Sequence, residues 1–239
     1  TYVDDVFSTF LYKGNKPSTQ SINNGIDLST EGGLVWIKSR TNTYNHILQD
    51  TVNGTGKWIQ SNTNGGTTNT SQYITSFNTN GFSLGTDNDI NNSSQNYSSF
   101  TFRKAPGFFT IKEYSGTGSA QSVSHDLGSK PGMILIKRTD TTADWVVYHR
   151  HGDIMAEEGG TSSSTERGYW KLNETNSVSY TSRLGDRTSS PTATTFDVKN
   201  QSDVNASGGT YIAYIFAGGE STAATARSVD FDGSGDYLL

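Results

Sequence analysis

The sequence predicts an all-β fold made of two tandem, duplicated β-sandwich-like units. Three observations carry that expectation. Five blocks of sequence occur twice in the same order, which shared composition alone would not preserve. Each block alternates or runs apolar over a strand's length and is bounded by Asn-Gly, Gly-Thr-Gly or Gly-Gly turns. The composition is 31% hydrophobic, 17% charged and 11% aromatic, a neutral polar mixture that suits strands with one wet and one dry face.

The blocks follow in chain order. "VFSTFLYKGN" (Val6 to Asn15) returns as "FFTIKEYSGTG" (Phe108 to Gly118), placing Phe7, Tyr12 and Gly14 on Phe109, Tyr114 and Gly116. "GGLVWIKSR" (Gly32 to Arg40) returns as "PGMILIKRT" (Pro131 to Thr139), and its unbroken apolar run fits a strand covered on both faces. "NHILQD" (Asn45 to Asp50) matches "DWVVYH" (Asp144 to His149), and "GKWIQSNT" matches "GYWKLNET" with Trp58 on Trp170. The last pair is the longest: Phe82, Asp89, Asn91, Tyr97 and Phe102 fall on Phe196, Asp203, Asn205, Tyr211 and Phe216 without a gap. In "SSFTFRK", Phe100 and Phe102 share one face and leave the other wet. The offset between copies grows from 99 (Gly33 to Gly132) to 114 (Asp89 to Asp203). The second copy therefore carries an insertion, "HRHGDIMAEEGGTSSSTERG", whose "DIMAEEGG" is the nearest thing to a helix.

The units are expected at residues 1–106 and 107–219, each of six or seven strands, with the seam at "KAPG", where Pro106 blocks pairing. Residues 220–239 read as a polar linker and the first hairpin, "SVDFDGSGDYLL", of a possible further domain. That hairpin is similar to the opening of laminin-G-like, concanavalin-type modules. Its Asp230, Asp232 and Asp236 imitate half an EF-hand loop, but strands flank them where helices should. The chain starts at Thr1 with no visible signal peptide.

Net charge is −5 and the pI about 5.3, a poor footprint for a nucleic-acid binder. No apolar run reaches the ~20 residues that cross a bilayer, and no Cys is present. No nucleophile elbow, phosphate loop or informative carboxylate pair occurs, so no enzyme and no cofactor is expected. Asp89 and Asp203 suit Asx-turns, with calcium as the alternative reading. "HRHGD" sets His149, His151 and Asp153 on one face of a strand and is the only metal-like constellation, equally explained by surface polarity. Trp36, Trp58 and Trp170 read as core. Tyr73, Tyr97, Tyr180 and Tyr211, beside polar loops, read as surface rings for a glycan or receptor, with Asn96 next to Tyr97.

Together, "YVDDVFSTFLYKGN", "GGLVWIKSR", "FNTNGFSLG", "FRKAPGFF", "PGMILIKR", "WVVYHR" and "SDVNASGGTYIAYIFA" resemble an uncharacterised domain of tailed bacteriophages, notably marine ones such as cyanophages. The resemblance covers the chain to about Ala217. It implies a virion structural protein on the external surface of the particle, a tail fibre or appendage used in host attachment, with head fibre or decoration protein, or a module recognising host glycans, as alternatives. It also implies other virion proteins as partners, a possible host polysaccharide, and a homo-oligomer, trimeric by analogy. It brings no catalytic residues. On this reading duplication lengthens a rod or doubles a surface.

Overall fold

Seven-residue antiparallel ladders form the frame of both repeats. The computed structural model describes residues 2–150, 167–180, 183–187 and 189–219. In the first repeat, β1 (Phe7–Lys13), β9 (Asn96–Arg103), β3 (Gly33–Ser39) and β4 (Ile47–Asp50) form a sheet in the order β1-β9-β3-β4. In the second, β10 (Phe109–Ser115), β17 (Thr210–Ala217), β12 (Pro131–Arg138) and β13 (Val146–His149) repeat that order, and β14 (Gly168–Lys171) and β15 (Ser179–Tyr180) extend it. Even the register repeats: Phe7 faces Phe102 and Tyr12 faces Tyr97, as Phe109 faces Phe216 and Tyr114 faces Tyr211.

A smaller sheet covers one face of each large one. In the first repeat it is β2 (Gln20–Asn23), β8 (Gly81–Leu84) and β7 (Ile74–Asn78); in the second it is β11 (Gln121–Ser124) and β16 (Thr195–Val198). A two-residue pair, β5 (Lys57–Trp58) and β6 (Thr68–Asn69), flanks β4. Among the described residues, helix is confined to single turns, α1 (Val3–Val6), α2 (Asn88–Asn91) and α3 (Ser202–Asn205). The described residues hold nine strands in the first repeat and eight in the second, more than expected because pairs as short as β5 and β6 leave no sequence period. "DIMAEEGG" and residues 220–239 lie outside the described residues.

Among the described residues no sheet mixes strands of the two repeats, yet the repeats are packed together. The cores stack as layers. Val35, Ile37, Ile47 and Tyr97 on the inner face of the first large sheet pack against Ile22, Ile74, Phe82 and Leu84 of its small sheet. Ile134, Ile136, Tyr148 and Ile215 pack likewise against Val123, Phe196 and Val198. Between the two large sheets lies a third core: Leu34, Leu48 and Ile59 from one side, and Phe109, Ile111, Leu135, Trp145, Val147, Ile212 and Tyr214 from the other. The repeats thus sit back to back, not end to end as a lengthened rod would require.

The third core explains two features of the chain. β3 and β12 read as unbroken apolar runs because each strand is covered on both faces. In β9 the expected alternation is present with its sides exchanged. Phe102 points into the inter-repeat core, while Ser99 and Thr101, both fully buried, face their own sandwich. Thr101 accepts a hydrogen bond from Asn24 Nδ2 at 2.8 Å. Polar contacts seal the junction: Tyr214 Oη donates to Asp50 Oδ2 at 2.8 Å, and Trp145 Nε1 to the Gln60 carbonyl at 2.9 Å.

Candidate functional site

The loops that lead into β9 and β17, the last strand of each repeat, form two copies of one buried cap. Tyr12 and Tyr97 stack at 5.2 Å and 15°, and Tyr114 and Tyr211 at 5.1 Å and 16°. Tyr12 Oη donates to Ile90 O, and Tyr114 Oη to Val204 O. Tyr97 Oη donates to Asn88 O and accepts from Asn92 N; Tyr211 Oη donates to Ser202 O and accepts from Ala206 N. Asn91 Oδ1 accepts from Asn15 N and Gln20 Nε2, as Asn205 Oδ1 accepts from Thr117 N and Gln121 Nε2. α2 and α3 are therefore each pinned by two tyrosines and one asparagine.

Gly14 and Gly116 are part of the same device. A Cβ on Gly14 would lie 2.0 Å from Asn92 O, and one on Gly116 2.1 Å from Ala206 O. Only glycine lets these backbones approach so closely.

This geometry corrects the surface role expected for the tyrosines. Tyr97 and Tyr211 are both 0% exposed, and Tyr73 is 5% exposed. The pleat places Tyr97 with Ser99 and Thr101 on the inner face, and Tyr211 takes the same register in β17. Burial pushes the Tyr97 hydroxyl up to about 12. Tyr73 Oη donates to Asp89 Oδ2 at 2.8 Å, and burial raises both groups. The Asx-turn falls two residues earlier than expected, at Asp87, which accepts from Asp89 N at 2.8 Å. Asp203 instead pairs with the Arg183 guanidinium, which lies 4.6 Å over the Tyr169 ring.

Tyr180 is half-buried in β15, and Asn96 is exposed at the start of β9. His149 is exposed at the end of β13, its ring 6.4 Å from Trp170; His151 and Asp153 lie outside the described residues. Lys137 is completely buried, on the face of β12 that Leu135 shares toward the inter-repeat core. Its Nζ donates to Arg138 O at 2.6 Å, and burial pushes its pKa down to about 8.

A site that no motif announced lies on the first repeat. A cleft of about 650 Å³ opens to solvent between the β4–β5 connection and the β6–β7 connection, with Asn53, Thr55, Lys57, Asn69, Ser71 and Ile74 in its lining. Buried Gln49 joins the walls: its Nε2 donates to Thr55 O at 2.9 Å, and its Oε1 accepts from Ile74 N at 2.7 Å. Thr70 N donates to Gly56 O at 2.9 Å, a second tie between the walls. Buried Asp50 shapes the turn, accepting from Val52 N, Asn53 N and Asn53 Nδ2. Sequence reasoning missed the cleft because its residues are ordinary turn residues, and only the pairing of distant loops brings them together.

Compared with known proteins, the chain matches one family model, that of a domain of unknown function, DUF7483, over residues 3–225. No curated protein and no solved structure matches it.

Proposed function

The chain belongs to the DUF7483 family of unknown function, and we propose that it is a structural protein of a bacteriophage particle, a tail-fibre or surface-appendage component that takes part in host attachment. The carrying observation is the fate of its polar side chains. The tyrosines and asparagines of the polar loops are spent, twice over, on pinning turns to sheets. A duplicated body whose buried polar groups hold loops in place suits a rigid display scaffold. Support for the phage particle comes from the resemblance of its repeated blocks to virion domains. The family model spans both repeats, which agrees with the pair acting as one unit.

On this reading the protein is non-catalytic, needs no cofactor, and works as a homo-oligomer among other virion proteins. Immunogold labelling of intact phage particles with an antibody against residues 1–219 tests the assignment. Gold on the tail or its fibres supports attachment. Gold over the capsid recasts the chain as a head fibre or decoration protein. Absence of the chain from purified particles, by labelling and by mass spectrometry, overturns the virion reading. A monomer by light scattering removes the homo-oligomer.

A further inference from the structure

We propose that the cleft between the β4–β5 and β6–β7 connections of the first repeat is a saccharide-binding site; its biological sense rests on the attachment role proposed above. The cleft volume, about 650 Å³, falls within the roughly 300–1,000 Å³ of small-ligand sites. Its lining chemistry narrows the ligand. Asn53 and Asn69 each present an amide with both donor and acceptor, and Thr55 and Ser71 present hydroxyls of the same dual character. A ligand that matches such a surface carries many groups that also donate and accept, which describes a polyhydroxylated ring.

Lys57, Asn69 and Ser71 have side chains that no internal hydrogen bond occupies among the described residues, so their polar groups are available. One lysine in a chain of net charge −5 is too little for a nucleic-acid strand; it suits a single carboxylate or a hydroxyl.

The walls are set before any ligand arrives. Gln49, 1% exposed, bonds the backbone of Thr55 on one wall and of Ile74 on the other, and Asp50 holds the turn that carries Asn53. Walls fixed in this way reduce the ordering cost of binding. The site belongs to one repeat. In the first copy residues 51–56 join β4 to β5, whereas in the second the corresponding join, residues 150–167, is three times as long. Duplication preserved the caps and changed this connection, which is where a specificity-bearing loop is free to differ.

The test is titration of the purified chain with a panel of oligosaccharides, neutral and uronic-acid-bearing, followed by heteronuclear NMR or calorimetry. At least one probe is expected to bind, with affinity falling tenfold or more in Lys57→Ala and Asn69→Ala while the thermal midpoint stays unchanged. Glu113→Ala, exposed on β10 of the second repeat, should bind as the parent does. Binding by no probe at millimolar concentration, or binding that survives both cleft substitutions, overturns the site. Particle labelling is independent of this result. A chain that labels virions but binds no sugar loses only the cleft, and a chain that binds sugar but is absent from virions loses only the virion assignment.

Discussion

Replacing Asn91 by Ala tests whether the caps hold the repeats together as the hydrogen bonds imply. The Asn91 side chain is fully buried and makes four bonds: from Asn15 N at 2.7 Å and Gln20 Nε2 at 2.8 Å, and to Ser18 O at 3.0 Å and Gly85 O at 2.6 Å. Asn15 and Ser18 lie at the surface, so water can replace the amide there. Gly85 O cannot be reached so easily, and a buried acceptor left dry costs about 1–3 kcal/mol. With roughly 0.5 kcal/mol for each rehydrated group, the loss comes to about 3 kcal/mol. Asn205 has no counterpart to the Gly85 bond among its contacts, so Asn205→Ala should cost about 1–2 kcal/mol. Urea unfolding followed by tryptophan fluorescence reads both values. Because the third core spans the repeats, one transition is expected, and each substitution should move all of it. A loss below about 1 kcal/mol for Asn91→Ala would refute the energetic argument. Two separate transitions, with only one displaced, would refute the shared core.

Three further outcomes are expected. Tyr214→Phe removes one donor from Asp50, which keeps its three turn bonds, so stability should fall by about 1.5–2 kcal/mol in the same unfolding assay. Gly116→Ala forces a Cβ to 2.1 Å from a backbone carbonyl and should cost more than about 3 kcal/mol or prevent folding, measured by thermal melting or soluble yield. For Lys137, burial lowers the native pKa to about 8, so between pH 8 and the unfolded value near 10.4 the unfolded chain binds more protons and stability rises with pH. From pH 7 to 9.5 the parent should gain about 1–2 kcal/mol through this residue, a rise that Lys137→Met should lack. Above about pH 10 the trend reverses, because buried Tyr12, Tyr114 and Tyr214 resist an ionisation open to them once unfolded.

The frame was legible because both of its signals are local. Block order announced the duplication, and runs such as "GLVWIKS" announced strands covered on both sides. The tyrosines were misplaced for a definite reason. Tyr97 and Tyr211 stand beside polar loops in the chain, but strand parity, set by pairing with β1 and β10, turns their rings inward. A loop rich in Asn and Ser resembles a surface whether its side chains meet water or, as Asn91 does, the backbone of another turn. Trp145 illustrates the same limit: fully buried, it packs against the other repeat, a neighbour that no local pattern encodes. The cleft could not be read at all, since Thr55 and Asn69 meet only after β5 pairs with β6.

The aromatic contacts at one pole set how this body is carried. Phe7, where the chain enters β1, lies 4.9 Å from Phe102, and Phe102 lies 5.3 Å from Phe216, one residue before the chain leaves β17 at Ala217. The start of the first strand and the end of the last therefore adjoin. A tension applied between those two strand ends would run through a short path beside that aromatic cluster. The Tyr–Asn caps lie at the far ends of those same ladders, where Tyr12 pairs with Tyr97 and Tyr114 with Tyr211. The most elaborately pinned turns therefore lie at the ends of the ladders opposite the Phe cluster.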